Sequence, residues 1–278
     1  MHRNKQSNFA CPAHNAAGLT MLTLLLALSP LTAGAAEAGN SIVTDRPDFV
    51  ESSAVVGRGR FQIETSVAVE RNKADGVTER TTSTPTLLRF GVGDALELRL
   101  ETDGRVVYKT DNAPTERGYA DLSLGVKWHA LDAAGSAPSV GVLAHLDIDS
   151  GSSQLRGNVN GYGSRPSLRV VAEWELPNNM SLGVMPGIVY AKNADGERFV
   201  AGILGVVVGK SWTEKARTFI EVAMPQIARG KHGATVATFD VGAAYLLSDT
   251  LQIDTALARG LNQRTPDLSW TIGLSAKF

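Results

Sequence analysis

His145 and Asp147 stand two positions apart on one face of a predicted strand, and no other pair in the chain comes closer to a catalytic arrangement. A hydrolytic triad needs a base histidine, a nucleophile beside it and a group that orients the imidazole. Asp147 could orient His145, but without an evident partner serine the two residues are better explained as a hydrogen-bonded pair. They also supply only two of the three or four ligands of a metal site. We expect no enzyme activity, no metal and no cofactor.

A larger set of charged residues recurs at alternate positions of short segments. Because successive residues of a strand point to opposite faces, Glu97, Arg99 and Glu101 share one face and aliphatic residues occupy the other. This alternation predicts a hydrated, charged lumen. The candidate lumen-lining residues are Glu64, Arg89, Glu97, Arg99, Glu101, Asp121, His145, Asp147, Arg169, Glu173, Glu221, Asp240 and Asp254.

Charges inside a barrel must pair or stay hydrated, since each unpartnered buried charge costs roughly several kcal/mol. We expect the basic members of the set to face the acidic members on neighbouring strands. The expected pairs join Arg89, Arg99 and Arg169 to Glu64, Glu97, Glu101 or Glu173. Such pairs could select a solute or could only stabilise the interior.

About twelve alternating segments must position these side chains, and their length of roughly ten residues suits a tilted strand that crosses a bilayer. They are 61–71, 81–91, 95–108, 119–131, 138–149, 167–176, 181–192, 199–210, 217–226, 237–247, 251–260 and 267–278. Short turns between them, such as 92–94 and 177–179, interleave with longer polar loops at 72–79, 110–118, 150–164 and 229–233. The longest loop, 150–164, either folds into the mouth of the barrel or moves freely in solvent, and its composition favours the second.

The carboxy-terminal strand alternates apolar and polar residues and stops on Phe278, as the last strand of an outer-membrane β-barrel does. We predict an all-β, transmembrane, antiparallel, up-and-down barrel of about 12 strands with both ends in the periplasm. In a soluble barrel the aliphatic face would turn inward, and a single strand does not distinguish the two. The regular alternation of loop lengths, the strand lengths and the amino-terminus together favour the membrane.

The amino-terminus predicts export. Basic residues precede an apolar stretch around Leu22 to Leu28, and small residues follow at 33–36, as in a secretory signal peptide that is cleaved after about residue 35. Cys11, the sole cysteine, lies inside this segment, so the mature chain is predicted to contain none. A membrane anchor helix would need a longer apolar core than the one that Pro30 interrupts. The formal net charge of −1 argues against a nucleic-acid partner.

Three blocks of sequence carry a resemblance to a known family. They are Thr44-Asp45-Arg46-Pro47-Asp48-Phe49-Val50-Glu51-Ser52, Gly59-Arg60-Phe61-Gln62-Ile63-Glu64 and Thr84-Pro85-Thr86-Leu87-Leu88-Arg89-Phe90-Gly91. The chain resembles, over essentially its whole mature length, the outer-membrane "transporter" family linked to a MetA pathway of phenol degradation. The resemblance implies an outer-membrane barrel of a Gram-negative bacterium that passes small organic, including aromatic, compounds, and it implies no catalytic residue.

The predicted organisation has three parts: a cleaved signal peptide at 1–35, a lead-in at 36–59 and a barrel at 60–278. The Asp45-Arg46-Pro47-Asp48 motif of the lead-in could enter the lumen as a plug or pack at the periplasmic rim. The expected partners are outer-membrane lipid, a small solute, and the barrel-assembly machinery, which would recognise the strand that ends at Phe278. The first functional hypothesis is a passive channel with a narrow charged lumen, and the second is a non-conducting structural or interaction barrel whose interior is closed by salt bridges.

Overall fold

The structure is a computed structural model that describes residues 41–74, 76–111, 113–157 and 159–278. The predicted signal peptide, residues 1–35, lies outside the described residues. The described chain contains fifteen strands: β1 Phe61–Ala74, β2 Val77–Ser83, β3 Thr86–Gly91, β4 Leu96–Thr102, β5 Arg105–Thr110, β6 Ala113–Tyr119, β7 Leu122–Leu131, β8 Ser139–Ile148, β9 Arg165–Leu176, β10 Met180–Lys192, β11 Arg198–Ser211, β12 Ala216–Ile227, β13 Val236–Ser248, β14 Leu251–Gly260 and β15 Leu268–Lys277. Two short 3₁₀-helices cover Ser153–Leu155 and Gly230–His232. No helix in these described ranges is long and apolar enough to cross a membrane.

Twelve of the strands form a closed antiparallel ring, which confirms the predicted fold. The order is β1-β3-β4-β7-β8-β9-β10-β11-β12-β13-β14-β15, and β15 pairs with β1 to close it. At the seam Phe61 and Phe278 exchange backbone hydrogen bonds of 3.2 and 2.7 Å. Their rings lie 6.2 Å apart between centroids, so the terminal aromatic residue is part of the closure itself.

The remaining strands, β2, β5 and β6, extend the wall beyond the ring. They continue β3, β4 and β7 after breaks at 84–85, 103–104 and 120–121, and they pair in the order β1-β2-β5-β6. The predictions of outer loops at 72–79 and 110–118 were therefore wrong. The alternation of apolar and polar residues identifies a strand only where one face contacts lipid. These residues are polar on both faces, so the alternation did not identify them as strands.

The aliphatic face of the ring points outward and the charged face inward, as predicted. Leu98, Leu124 and Ile272 are 47%, 49% and 57% exposed, whereas Glu64, Arg89 and Glu97 are fully buried. A soluble barrel would bury the first three and expose the last three. Exposed aliphatic residues around a closed ring are instead what hydrocarbon requires.

Candidate functional site: the barrel lumen

Residues 41–60, the lumen segment, enter and leave the barrel at the same end. Ile42 N donates at 2.6 Å to the backbone of the β13–β14 turn, and Gly59 N donates at 2.8 Å to the end of β3. Between these points the chain reaches inward to Arg46, whose Nη2 donates to Thr271 Oγ1 at 2.9 Å, about midway along β15. The segment thus occupies the interior of the ring, and the alternative of packing at the rim does not apply.

Asp45 is the central anion of the lumen segment. Its carboxylate lies 2.6 Å from Arg99 Nη1, 2.7 Å from Lys127 Nζ and 3.4 Å from Arg89 Nη1. It also accepts hydrogen bonds from Ser52 N and Ser52 Oγ at 2.8 and 2.7 Å. Asp45 lies outside the membrane-spanning strands. Burial alone would raise its pKa, but the charges of Arg89, Lys127 and Arg99 outweigh burial and hold the pKa well below its usual range.

Glu51 is the second anion that the segment presents to the same side of the lumen. Its two carboxylate oxygens lie 2.8 Å from Arg99 Nη2 and 2.9 Å from Arg169 Nη1. The sequence assigned no role to Glu51 beyond membership of the resemblance block. Arg169 was expected to pair with an acid of a neighbouring strand, and it instead pairs with this residue of the segment.

Strand-to-strand ion pairs complete the basic side of the lumen. Arg89 contacts Glu64 at 3.0 Å and Glu97 at 2.9 Å, and Arg99 contacts Glu97 and Glu101 at 2.9 Å each. These are among the pairs expected from the sequence, so that part of the prediction is confirmed. The cations of β3, β4 and β7 therefore lie between strand acids on one side and segment acids on the other.

The opposite wall, on β12 to β14, is acidic and receives the segment's donors. Glu221 accepts the backbone N–H groups of Phe49 and Val50 at 2.8 and 2.7 Å. Asp254 lies 3.4 Å from the guanidinium of Arg46. The segment thus presents Asp45 and Glu51 to the cations of β4 and β7, and it presents donors to Glu221 and Asp254.

Three further contacts fix the segment across the lumen. Arg217 makes a two-pronged ion pair with Asp48, with distances of 2.8 and 3.1 Å. Ser53 N donates to the Glu173 carboxylate at 2.5 Å, and the hydroxyls of Ser53 and Ser139 are 2.6 Å apart. The segment therefore contacts charged residues of β1, β3, β4, β7, β9, β12 and β14.

One side of the lumen is apolar, which the sequence did not predict. Val50 packs with Leu143, Met185, Val207 and Phe219 on the inner faces of β8 and β10 to β12, together with Val171. On β10 and β11 the inner positions alternate among glycine, alanine and aliphatic residues, and the outer positions are aliphatic too. The alternation therefore could not distinguish the two faces.

Gly205 shows how closely the segment approaches this apolar wall. A Cβ built at Gly205 would overlap Val50 and lie 3.0 Å from the Phe49 ring. A glycine is needed there because any side chain would displace the segment.

A cavity of about 250 Å³ lies beyond the apex of the segment, on the side of the long connections. Asp121 and Asp147 line it with Arg165, which contacts Asp147 at 3.0 Å, and with Arg46 and Arg169. The cavity is therefore a polar chamber with both signs of charge, and the lumen segment lies on its inner side.

The longest connection folds over this chamber. Asp121 accepts the N–H groups of Ser150, Gly151 and Gly161 at 3.2, 2.9 and 3.0 Å. Leu155 is fully buried against Val106 and Ala120. The loop 150–164 was favoured to move freely in solvent, but it folds into the mouth of the barrel, which was the alternative. The carboxylate of Asp121 and the side chain of Leu155 attach it to the wall.

His145 is not oriented by Asp147. Its Nε2 lies 2.9 Å from Glu101 Oε1, on a strand two places away, and Gly125 of the intervening β7 leaves room for the imidazole. Glu51 joins them, so three possible metal ligands have atoms within 4.8 Å of one another. Arg99 contacts both carboxylates at 2.8 and 2.9 Å, and its cationic group occupies the place that a metal would need.

All of the predicted lumen residues lie on the inner side of the wall. Those that contact the lumen segment are Glu64, Arg89, Glu97, Arg99, Arg169, Glu173, Glu221 and Asp254. Glu101 and His145 pair with each other, Asp121 and Asp147 line the chamber, and Asp240 stands opposite Glu221 in the β12–β13 register. Lys127, Glu51 and Arg217 make contacts but are absent from the candidate set, although the alternation along β7 already placed Lys127 on the charged face.

The closed ring, its lipid-facing exterior and its charged interior define a twelve-stranded transmembrane β-barrel. The chain belongs to the family described as "Putative MetA-pathway of phenol degradation", whose model matches residues 44–278. No curated protein matches the chain.

Solved structures share the fold at low sequence identity. The COG4313 outer membrane channel from Pseudomonas putida F1 is similar with a TM-score of 0.61 and 15% identity, over 84% of this chain and 99% of that one. The KdgM porin is similar with a TM-score of 0.50 and 11% identity, over 78% and 99% of the two chains. The β domain of the Bordetella autotransporter BrkA has a TM-score of 0.50 and 8% identity, with the same coverage. At these identities the likeness concerns the fold alone.

Proposed function

We propose that this protein is a passive outer-membrane channel for small organic solutes, and that the lumen segment is its plug. The observation that carries the proposal is the polar chamber of about 250 Å³ whose inner side is a segment held mainly by side-chain contacts. Both ends of the segment lie at one end of the ring, so it can withdraw without unpairing any barrel strand.

The solute class follows from the family and from the walls of the lumen. The family description supports small organic compounds, including phenols. Withdrawal of the segment would expose cations on β3, β4 and β7 opposite carboxylates on β12 to β14, with an apolar strip between them. A small solute with a polar group and an apolar body suits such a passage. The candidate lumen-lining residues named above would then line the open pore, and the proposal includes no catalytic step.

Export and assembly belong to the same proposal. A cleaved signal peptide at residues 1–35 would deliver the chain to the periplasm of a Gram-negative bacterium. The strand ending at Phe278 would be recognised by the barrel-assembly machinery, and lipid of the outer membrane would contact the aliphatic exterior.

A second candidate function is supported by the density of ion pairs around the segment. Arg89, Arg99 and Lys127 are all buried and paired, as expected for a barrel that is closed permanently. Such a barrel would serve as a structural or interaction protein through its outer loops. The two candidates differ only in whether the segment leaves the lumen.

A reversible crosslink between the segment and the wall distinguishes the candidates. The hydroxyls of Ser53 and Ser139 are 2.6 Å apart, so cysteines at these positions are well placed for a disulfide. For the double variant Ser53→Cys/Ser139→Cys in planar bilayers, we expect unitary conductance steps under reducing conditions and at least a ten-fold lower open probability after oxidation. The single variant Ser139→Cys, which cannot crosslink the segment, should conduct equally in both states.

Three outcomes are informative. Loss of conductance only in the oxidised double variant supports the plugged channel. Conductance that oxidation leaves unchanged removes the plug role, although the channel remains. Silence of the folded protein in both redox states supports the closed barrel and contradicts transport.

A further inference from the structure

A row of basic side chains crosses the outer surface of the wall where β1, β2 and β5 extend beyond the ring. Arg71 stands directly opposite Arg80 in the β1–β2 register, and Arg80 stands opposite Lys109 in the β2–β5 register. The row continues through Leu268 of β15 to Arg259 of β14. Four cations therefore form one register row across five adjacent strands, which are about 4.8 Å apart.

The surface around this row is mainly basic, with Asp111 of the β5–β6 turn and Asp267 before β15 as acids at its edge. Lys73, Arg105 and Arg117 share the outward face with the row, and all seven cations are exposed. None of the seven forms an ion pair among the described residues.

The acids of the same strands lie on the other face. Glu79 is bonded to Asn72 and Tyr108 on the lumen side, and Glu116 stands opposite Tyr108. In the described part of these strands the outward positions carry no acid, so the sheet is basic outside and acidic inside.

Residues next to the row fix its height relative to the membrane. A second row of outward-facing residues lies two positions along the strands from the basic row, on the side of the membrane. Its apolar members are Leu257, Trp270, Val69 and Val107. Trp270 and Leu257 are 42% and 47% exposed on the outer surface. Tryptophan at the end of an aliphatic belt is typical of the boundary between hydrocarbon and headgroups. The end of the row at Arg259 therefore lies at headgroup height.

Like charges that face each other directly across strands destabilise a sheet. An anion between them would remove the repulsion, and guanidinium groups bind phosphate oxygens in a two-pronged geometry. A dissolved anion would have no reason to prefer this height, whereas the headgroups of an anionic lipid are held there.

We propose that the surface formed by Arg259, Arg71, Arg80 and Lys109 binds the phosphate groups of a phosphorylated lipid in the outer leaflet. The inference rests on the outer-membrane location proposed above, but it does not depend on conduction. The same contact would attach the extended sheet of β2, β5 and β6 to the membrane surface.

The test uses the purified full-length barrel in detergent, with bound lipid counted by native mass spectrometry. The probes are lipid A that carries two phosphates, the same lipid after enzymatic dephosphorylation, and inorganic phosphate as a competitor. Near an anionic surface each cation contributes roughly a five-fold increase in affinity. The triple variant Arg71→Gln/Arg80→Gln/Lys109→Gln should therefore bind the diphosphorylated lipid on the order of 100-fold more weakly.

The matched control removes three cations at the opposite end of the barrel, Arg58→Gln/Lys210→Gln/Lys215→Gln, and should bind as the unaltered protein does. A heat-modifiable band on gels establishes that each variant is folded. If the triple variant does not fold, Arg80→Gln alone should still weaken binding about five-fold.

Equal affinity of the triple variant and the unaltered protein would overturn the proposal. So would equal affinity for dephosphorylated lipid, or full displacement of the lipid by millimolar inorganic phosphate, which would indicate a site for free anions. A barrel that binds the lipid but never conducts contradicts the channel alone. A barrel that conducts but binds the phosphorylated and the dephosphorylated lipid equally well contradicts this inference alone.

Discussion

Replacement of Asp45 by asparagine removes the charge on which the seating of the lumen segment depends most. Arg89 keeps Glu64 and Glu97 as partners within 3.0 Å, so it loses little. Lys127 loses its anionic partner at 2.7 Å and faces a neutral amide instead, and its other contacts are Ser52 O at 2.9 Å and Glu51 at 3.7 Å. The variant therefore leaves the fully buried ammonium group of Lys127 without a close anionic partner.

The size of the effect follows from that single group. Removal of one partner of a buried ion pair costs about 3–5 kcal/mol. The lower figure applies here, because Lys127 keeps one carbonyl and one distant carboxylate. A loss of about 3 kcal/mol from the seated state raises the fraction of molecules with the segment withdrawn by roughly two orders of magnitude.

A cysteine in the segment reports this fraction without any need for conduction. Val50 is 4% exposed when the segment is seated, so the reporter Val50→Cys should react with a water-soluble maleimide only after withdrawal. We expect labelling on the order of 100-fold faster in Asp45→Asn/Val50→Cys than in Val50→Cys alone. Glu197→Gln/Val50→Cys is the control, because an exposed ion pair such as Glu197–Lys231 contributes little to stability. Labelling that Asp45→Asn changes less than two-fold would refute the view that these ion pairs seat the segment.

Three further predictions concern pH, packing and the folded loop. Because the pKa of Asp45 is held below its usual range, the stabilisation it supplies is complete above about pH 4 and is lost as the pH falls through the lowered pKa. Labelling of Val50→Cys, divided by the labelling rate of a free thiol at the same pH, should therefore rise only in acid and stay constant between about pH 5 and 8. A rise of this ratio centred near neutrality would contradict the assignment. Gly125→Ala would place a Cβ against the His145 ring and should destabilise the barrel by about 1–3 kcal/mol in urea titrations, whereas Gly230→Ala, with open space around it, should leave the transition midpoint unchanged. Leu155→Ala should cost about 2–5 kcal/mol locally and expose the connection 149–164 to limited proteolysis, and unchanged cleavage would show that the leucine does not hold the loop.

The sequence by itself determined the twelve strands of the ring, the two faces of most of them and the closed architecture. Alternation has a period of two because each strand residue points opposite to its neighbours, and this local property assigns Glu97 and Arg99 to the lumen without knowledge of any partner. The alternation could not assign the inner face where both faces are aliphatic, as on β10 and β11. It also could not identify a strand where both faces are polar, as on β2 and β6.

Only the tertiary structure decided which residues meet. Asp45 and Lys127 are 82 positions apart, and Val50 and Glu221 are 171 apart. Such contacts depend on ring closure and on the register of many strand pairs, which no local pattern encodes. For the same reason His145 pairs with Glu101 across a glycine rather than with Asp147 on its own strand, and Arg259 shares a row with Arg71 only because β15 closes the ring between them.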